Sequence, residues 1–176
     1  MTYAIFLLPS EDLKKEIFHW KNKIINSEIY SAYTKHPPHL TIYHFSTNNI
    51  EKCVQEISSF KWIHNGIDIS IKNTNVFWDD KLALGHTLYY QLEKNDYLYD
   101  LQLGVANKLK DYVIRKGNVR NQLKDDHLLY SYQKFGFPFV GPHWIPHFSV
   151  ASLRVDKDHM MLSLIHISEP TRQEAI

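Results

Sequence analysis

The chain has 176 residues, 44% hydrophobic and 14% aromatic, enough to bury the core of one ordinary domain and too apolar for intrinsic disorder. Lys and Arg number 20 against 19 Asp and Glu, a net charge of +1, so no strong field gathers nucleic-acid backbone or anionic lipid wholesale. Cys53 is the only cysteine, which excludes a disulfide framework and a cysteine-based zinc site, and the apolar run Tyr3 to Pro9 is too short to span a bilayer, so the expectation is a soluble, cytoplasmic chain without a membrane partner.

Tyr3 to Leu8 is a β-prone run stopped by Pro9. Ser10 then caps a helix with Leu13, Ile17, Trp20 and Ile24 on one face and Glu11 and Asp12 in its first turn. Pro37 and Pro38 bar helix through His36, and HLTIYHF, residues 39–45, alternates as a strand. Thr47 opens a second helix with Ile50, Val54, Ile57 and Phe60 inward, where Cys53 reads as core filler. Ile67 to Phe77 and Leu82 to Leu92 are strand-like around a turn at Asp79-Asp80. A third helix, Asp96 to Lys116, turns Leu98, Leu101, Val105, Leu109 and Val113 inward and stops at Gly117-Asn118. Residues 119–143 carry no clear period, although Gly136, Pro138, Gly141 and Pro142 mark their second half as an ordered loop, and Trp144 to Leu153 is a final strand. The order βαβα, ββ, α, β is a mixed α/β arrangement in one domain spanning residues 1–161. Residues 162–172, LSLIHISEPTR, break this character and resemble the translation of a sequencing-library adapter. Residues 162–176 are therefore set apart as a non-native tail, and the natural C-terminus is expected to be missing.

The third strand and the last share a pattern. Pro38-His39-Leu40-Thr41-Ile42 matches Pro146-His147-Phe148-Ser149-Val150: proline, histidine, apolar, hydroxyl, apolar. The sequence holds four His-x-Ser/Thr triplets, of which His44-Phe45-Ser46 falls on the opposite strand face from His39 and His166-Ile167-Ser168 lies in the tail. The matched pair presents two imidazoles and two hydroxyls, a set suited to phosphodiester chemistry without a metal. One imidazole takes a proton from the attacking oxygen, the other gives one to the leaving oxygen, and the hydroxyls of Thr41 and Ser149 hold phosphate oxygens. Strand parity offers Tyr3 and Tyr43 to the same groove, and Phe137 and Trp144 are candidate stacking platforms for a base. Lys134 and Arg115 are candidate phosphate contacts. A metal site at His36 and His39 is weaker, since two prolines separate them and no carboxylate triad follows.

These motifs resemble those of the two-histidine (2H) phosphoesterase superfamily, which includes 2′-5′ RNA ligase-like proteins and cyclic nucleotide phosphodiesterases. Its two H-apolar-[ST]-apolar motifs are met by His39/Thr41 and His147/Ser149, its opening strand and helix by YAIFLLPSEDL, and the surroundings of its second motif by FVGPHWIPHFSVASLRV. The likeness runs from Tyr3 to Val155. It implies a bilobal α+β fold in which two antiparallel sheets related by a pseudo-twofold flank a central groove, with helices outside. It also implies a metal-independent hydrolase acting on a 2′,3′-cyclic phosphate or a 2′-5′ linkage in a small nucleotide or short RNA end; no cofactor is expected, and with no obligate protein partner evident the chain is expected to be a monomer. Two further readings stand beside it: a viral or phage-type enzyme that degrades nucleotide immune signals, and a non-catalytic nucleotide- or RNA-binding module.

Overall fold

The computed structural model describes residues 1–27, 31–60, 66–80, 83–115, 117, 123 and 125–161. Its elements run β1 (Thr2–Leu7), α1 (Glu11–Ile25), β2 (Ser31–Ala32), β3 (Leu40–Ser46), α2 (Ile50–Ser58), β4 (Ile71–Asp80), β5 (Gly85–Leu92), α3 (Asp96–Leu109), α4 (Asp126–Phe135), a short 3-10 turn at Gly141–His143, and β6 (His147–Leu153). This is a mixed α/β fold, as the order of hydrophobic patterns predicts, and its strands pair antiparallel. The chain divides into two compact units: residues 1–6, 41–65 and 94–145 form one, and residues 7–40, 66–93 and 146–176 the other.

In the first unit β1 runs beside β3, with the hydroxyls of Thr2 and Ser46 3.0 Å apart. The second helix begins later than expected. Asn49 caps it by accepting from Lys52 N–H, while the buried Thr47 hydroxyl is committed to Tyr112 O at 2.8 Å and accepts from Asn49 N–H. The apolar face accordingly falls on Cys53, which is buried as expected, and Val54 points outward with 55% exposure. In α3, capped by Asn95, the residues Leu98, Leu101, Val105 and Leu109 are buried in the expected period. The helix ends at Leu109 rather than at Lys116 because Ile114 N–H donates to Ser46 O at 2.7 Å, drawing the chain onto the end of β3. Part of the illegible stretch is a true helix, α4, whose Asp125 cap accepts from His127 and Leu128 N–H. Gly136 ends it in the left-handed region at φ 70°, where a Cβ would also lie 2.9 Å from Val113 Cγ2. The loop that follows is held by the buried Gln102, which donates to Phe139 O and accepts from Gly141 N–H, both at 2.8 Å.

In the second unit β6 lies between two sets of partners. One edge pairs antiparallel with β5, which pairs with β4 in turn; the other edge holds β2, through Ser31↔Leu153 and Ala32↔Ser152, and Leu40 opposite Phe148. The β4 and β5 strands are displaced from where the sequence suggests. Asp79 and Asp80 belong to its first strand, which starts at Ile71, and the second starts at Gly85 rather than Leu82; residues 81–82 lie outside the described set. Gly85 is required by close approach, since a Cβ there would meet Leu153 O at 2.6 Å. Ser10 caps α1 as predicted, but the third buried position on its face is Lys21 rather than Trp20, continuing Leu13 and Ile17 at four-residue steps. After β6, Asp156 caps a helical turn at 157–161 in which Met160 is buried. The tail, residues 162–176, is outside the described residues, as is Asn118.

Candidate active site

The pairing of Leu40 with Phe148 fixes the site's geometry. Both side chains are buried, so their chain neighbours face the opposite side of the sheet. Carrying the antiparallel register one residue beyond this pair, to the residue before β3 and the next along β6, brings His39 opposite Ser149 with His147 as its diagonal neighbour. Diagonal neighbours on adjacent strands lie roughly 7–8 Å apart at Cα, a gap that a phosphate bridges by hydrogen bonds to two imidazoles. His39, His147 and Ser149 are all half-buried, within reach of solvent and of a ligand. Thr41 is also half-buried and opens the second segment of the first unit.

Each histidine is oriented by its own surroundings. His39 Nδ1 lies 2.7 Å from Pro37 O, and a carbonyl only accepts, so Nδ1 carries a proton and donates; in the neutral ring Nε2 then carries the lone pair. The segment leading into His39 is tied down in turn by Lys21, whose buried ammonium donates to Tyr33 O at 2.7 Å and His36 O at 2.9 Å. Desolvation lowers the Lys21 pKa to about 8. His147 sits in an aromatic collar. Phe77 and Tyr89 stack on each other with centroids 3.9 Å apart, and both meet the imidazole edge-on, at 5.0 and 5.1 Å. Burial pushes the Tyr89 hydroxyl pKa up, which keeps that phenol neutral beside the histidine.

The other sequence candidates divide differently. Tyr43 is fully buried, stacked on Phe45 with its hydroxyl donating to Phe135 O, so it is a core residue and not a groove residue. Alternation misassigns it because both faces of β3 are covered at Ile42 and Tyr43. Trp144 is 4% exposed, donates from Nε1 to Thr41 O at 3.1 Å and packs edge-on against Tyr99, leaving no face for a base. Tyr3 packs on Phe45 and its hydroxyl donates to the Met1 sulfur, both within the first unit. Phe137 is half-buried against Tyr43, His44 and Phe139. Arg115 is not a phosphate contact: its guanidinium donates to the carbonyls of Lys110, Val113, Gln133 and Lys134 and so closes the ends of α3 and α4. Lys134 lies over the rings of Tyr130 and Phe135. His44 is exposed and its ring meets Phe137, as expected of a residue outside the His39 set.

Sequence reasoning missed Lys21, the Phe77/Tyr89 collar and Gln91, which pairs with His147 across β5 and β6. Only Lys21 carried a readable signal, its place four residues after Ile17 on the buried face of α1.

Among the described residues no three His, Cys, Asp or Glu side chains gather to hold a metal ion; His36 packs edge-on against Tyr33. Among the same residues no helix is long and apolar enough to cross a membrane. No family model matches the chain, and no curated protein matches it in sequence.

Proposed function

We propose that the protein is a metal-independent phosphodiesterase that acts on a 2′,3′-cyclic phosphate or a 2′-5′ linkage in a small nucleotide or short RNA end, with the bilobal 2H arrangement as its frame. The observation that carries this reading is the Leu40↔Phe148 pairing, which sets His39 across from Ser149 and diagonal to His147. For a cyclic phosphate, one histidine takes a proton from water as the water oxygen bonds to phosphorus. The bond to the leaving ribose oxygen breaks, and the other histidine gives that oxygen its proton. His39 works through Nε2, since Nδ1 is committed to Pro37 O. The Ser149 hydroxyl donates to a phosphate oxygen between the two rings. The substrate's small size matches a site built on one sheet face, and the near-neutral charge suits a monomer in the cytoplasm that needs no polyanion partner.

The reading is tested with a panel of 2′,3′-cyclic mononucleotides and 2′-5′ oligoadenylates, followed by product chromatography with wild type and His39→Ala. Cleavage by the wild type that is lost in the variant and persists in EDTA is the expected result. Binding of a panel member without cleavage would favour the nucleotide-binding module, and a chelator-dependent loss restored by Mn²⁺ or Zn²⁺ would replace acid–base catalysis by histidine with metal chemistry.

A further inference from the structure

Beside His147 stands an amide whose orientation is dictated from two residues away. Asn75 Oδ1 lies 2.8 Å from Val76 N–H, and because a backbone N–H only donates, that atom must be the oxygen. The nitrogen Nδ2 is therefore the atom that meets Gln91, and what it meets must accept: Oε1 of Gln91, at 3.4 Å. With Oε1 drawn toward β4, the Gln91 Nε2 group is turned away from it. On that side the facing residue, across from β5 on β6, is His147, the register partner of Gln91. Gln91 is half-buried, between the buried Tyr90 and Leu92 on the other face, so its amide belongs to the same sheet face as His147 and Ser149. An oriented NH₂ here adds a donor to the face without adding a competing base.

We infer that Gln91 is a substrate-contacting residue that donates from Nε2 to a non-bridging phosphoryl oxygen, and that Asn75 is the positioning residue that keeps this donor, rather than the amide oxygen, turned to the substrate. The inference rests on the phosphodiester reading above. A donor aimed at oxygens that gain charge at phosphorus acts in the transition state more than in the ground state. Its loss therefore falls on kcat and spares KM. A residue reading the base would do the reverse and would distinguish adenine from cytosine.

The test is steady-state kinetics on adenosine and cytidine 2′,3′-cyclic phosphates with wild type, His39→Ala, Gln91→Leu, Gln91→Glu and Asn75→Asp, each checked by thermal melting. The expected kcat loss is on the order of 10² for Gln91→Leu and larger for Gln91→Glu, whose carboxylate repels the phosphate, equally for both bases and with KM little changed. Asn75→Asp should lose kcat in the same direction, because its second carboxylate oxygen accepts and turns the Gln91 NH₂ toward β4. If Gln91→Leu melts early, Asn75→Asp alone decides. Turnover within about twofold of wild type in that deciding variant, a loss confined to KM, or a loss that depends on the base would overturn the Gln91 assignment while leaving the phosphodiesterase standing. A wild type inert toward every panel member would bring down the phosphodiesterase reading and this inference with it.

Discussion

The face around His39 and His147 and the aromatic loop from Phe135 to Trp144 are built from similar side chains, yet they use their polar atoms in opposite ways. Around the loop the polar side chains spend their donors on backbone: Tyr43 on Phe135 O, Trp144 on Thr41 O, Gln102 on Phe139 O, Tyr99 on Trp144 O, and Arg115 on four carbonyls. On the sheet face the side chains are oriented by single well-placed bonds, His39 Nδ1 to Pro37 O and Gln91 Oε1 to Asn75, and the residues themselves stay half-buried. A polar group whose bonding capacity the backbone consumes is scaffold, whatever its residue type. One that such a bond orients and that stays half-exposed is within reach of a ligand.

The sharpest way to break this comparison is to remove the histidines. His39→Ala or His147→Ala should each lower turnover by a factor on the order of 10² to 10⁴ with little change in melting temperature, while His44→Ala, on the exposed side against Phe137, should stay within about twofold of wild type. Equal losses from all three would end the assignment. In the loop the effect should move from activity to stability. Trp144→Ala should cost about 3–5 kcal/mol in a denaturant titration, by emptying a buried ring site and orphaning Thr41 O. Unchanged stability with a raised KM would instead return Trp144 to the role of a base platform.

Lys21 joins both behaviours, being buried scaffold that holds the approach to His39. Lys21→Met should cost about 1–3 kcal/mol, since His36 O loses its donor, and should lower kcat by loosening the Pro37-Pro38-His39 segment. Its pH dependence has a definite sign. The folded pKa of about 8 lies below that of the unfolded chain, so the unfolded state binds more protons between pH 8 and the ordinary lysine range near 10.4. Through that window the wild type should gain stability with rising pH relative to Lys21→Met; parallel curves would mean that the ammonium is not desolvated. The smallest effect belongs to α2, where Val54→Glu should change stability by no more than about 0.5 kcal/mol, because the helix turns this position to solvent.

What could be read from the sequence follows from what repeats. Ser10, Leu13 and Ile17 announce α1, and Leu98 to Leu109 announce α3, because caps and apolar period act locally. The two His-x-Ser/Thr strands were legible as a pair, but not the register that makes them neighbours, since the pairing of Leu40 with Phe148 is a contact across more than a hundred residues. Thr47 was misread as a cap because a hydroxyl before a helix looks the same whether it bonds the helix or a distant carbonyl, here Tyr112 O. Arg115 was misread for a similar reason, its four carbonyl partners coming from the ends of two helices. α4 hid behind its short length and its mixed Tyr and Ser face, although Asp125 and Gly136 bracket it in the usual way.

Among the described residues β6 is the last strand made, and it is the one on which β5, β2 and the first residue of β3 all depend for hydrogen bonds. During synthesis the chain must therefore carry the edges of β2 and β5 unpaired until residue 153 has left the ribosome, a long wait at the usual pace of about 5–20 residues per second. The juxtaposition of His39 and His147 cannot form piecemeal, and folding of this unit is governed by a non-local closure, slow by the standards of a helical protein and open to edge-to-edge association in the interval. Translation speed and chaperone supply should thus limit the yield of active protein more than the intrinsic stability of any one helix.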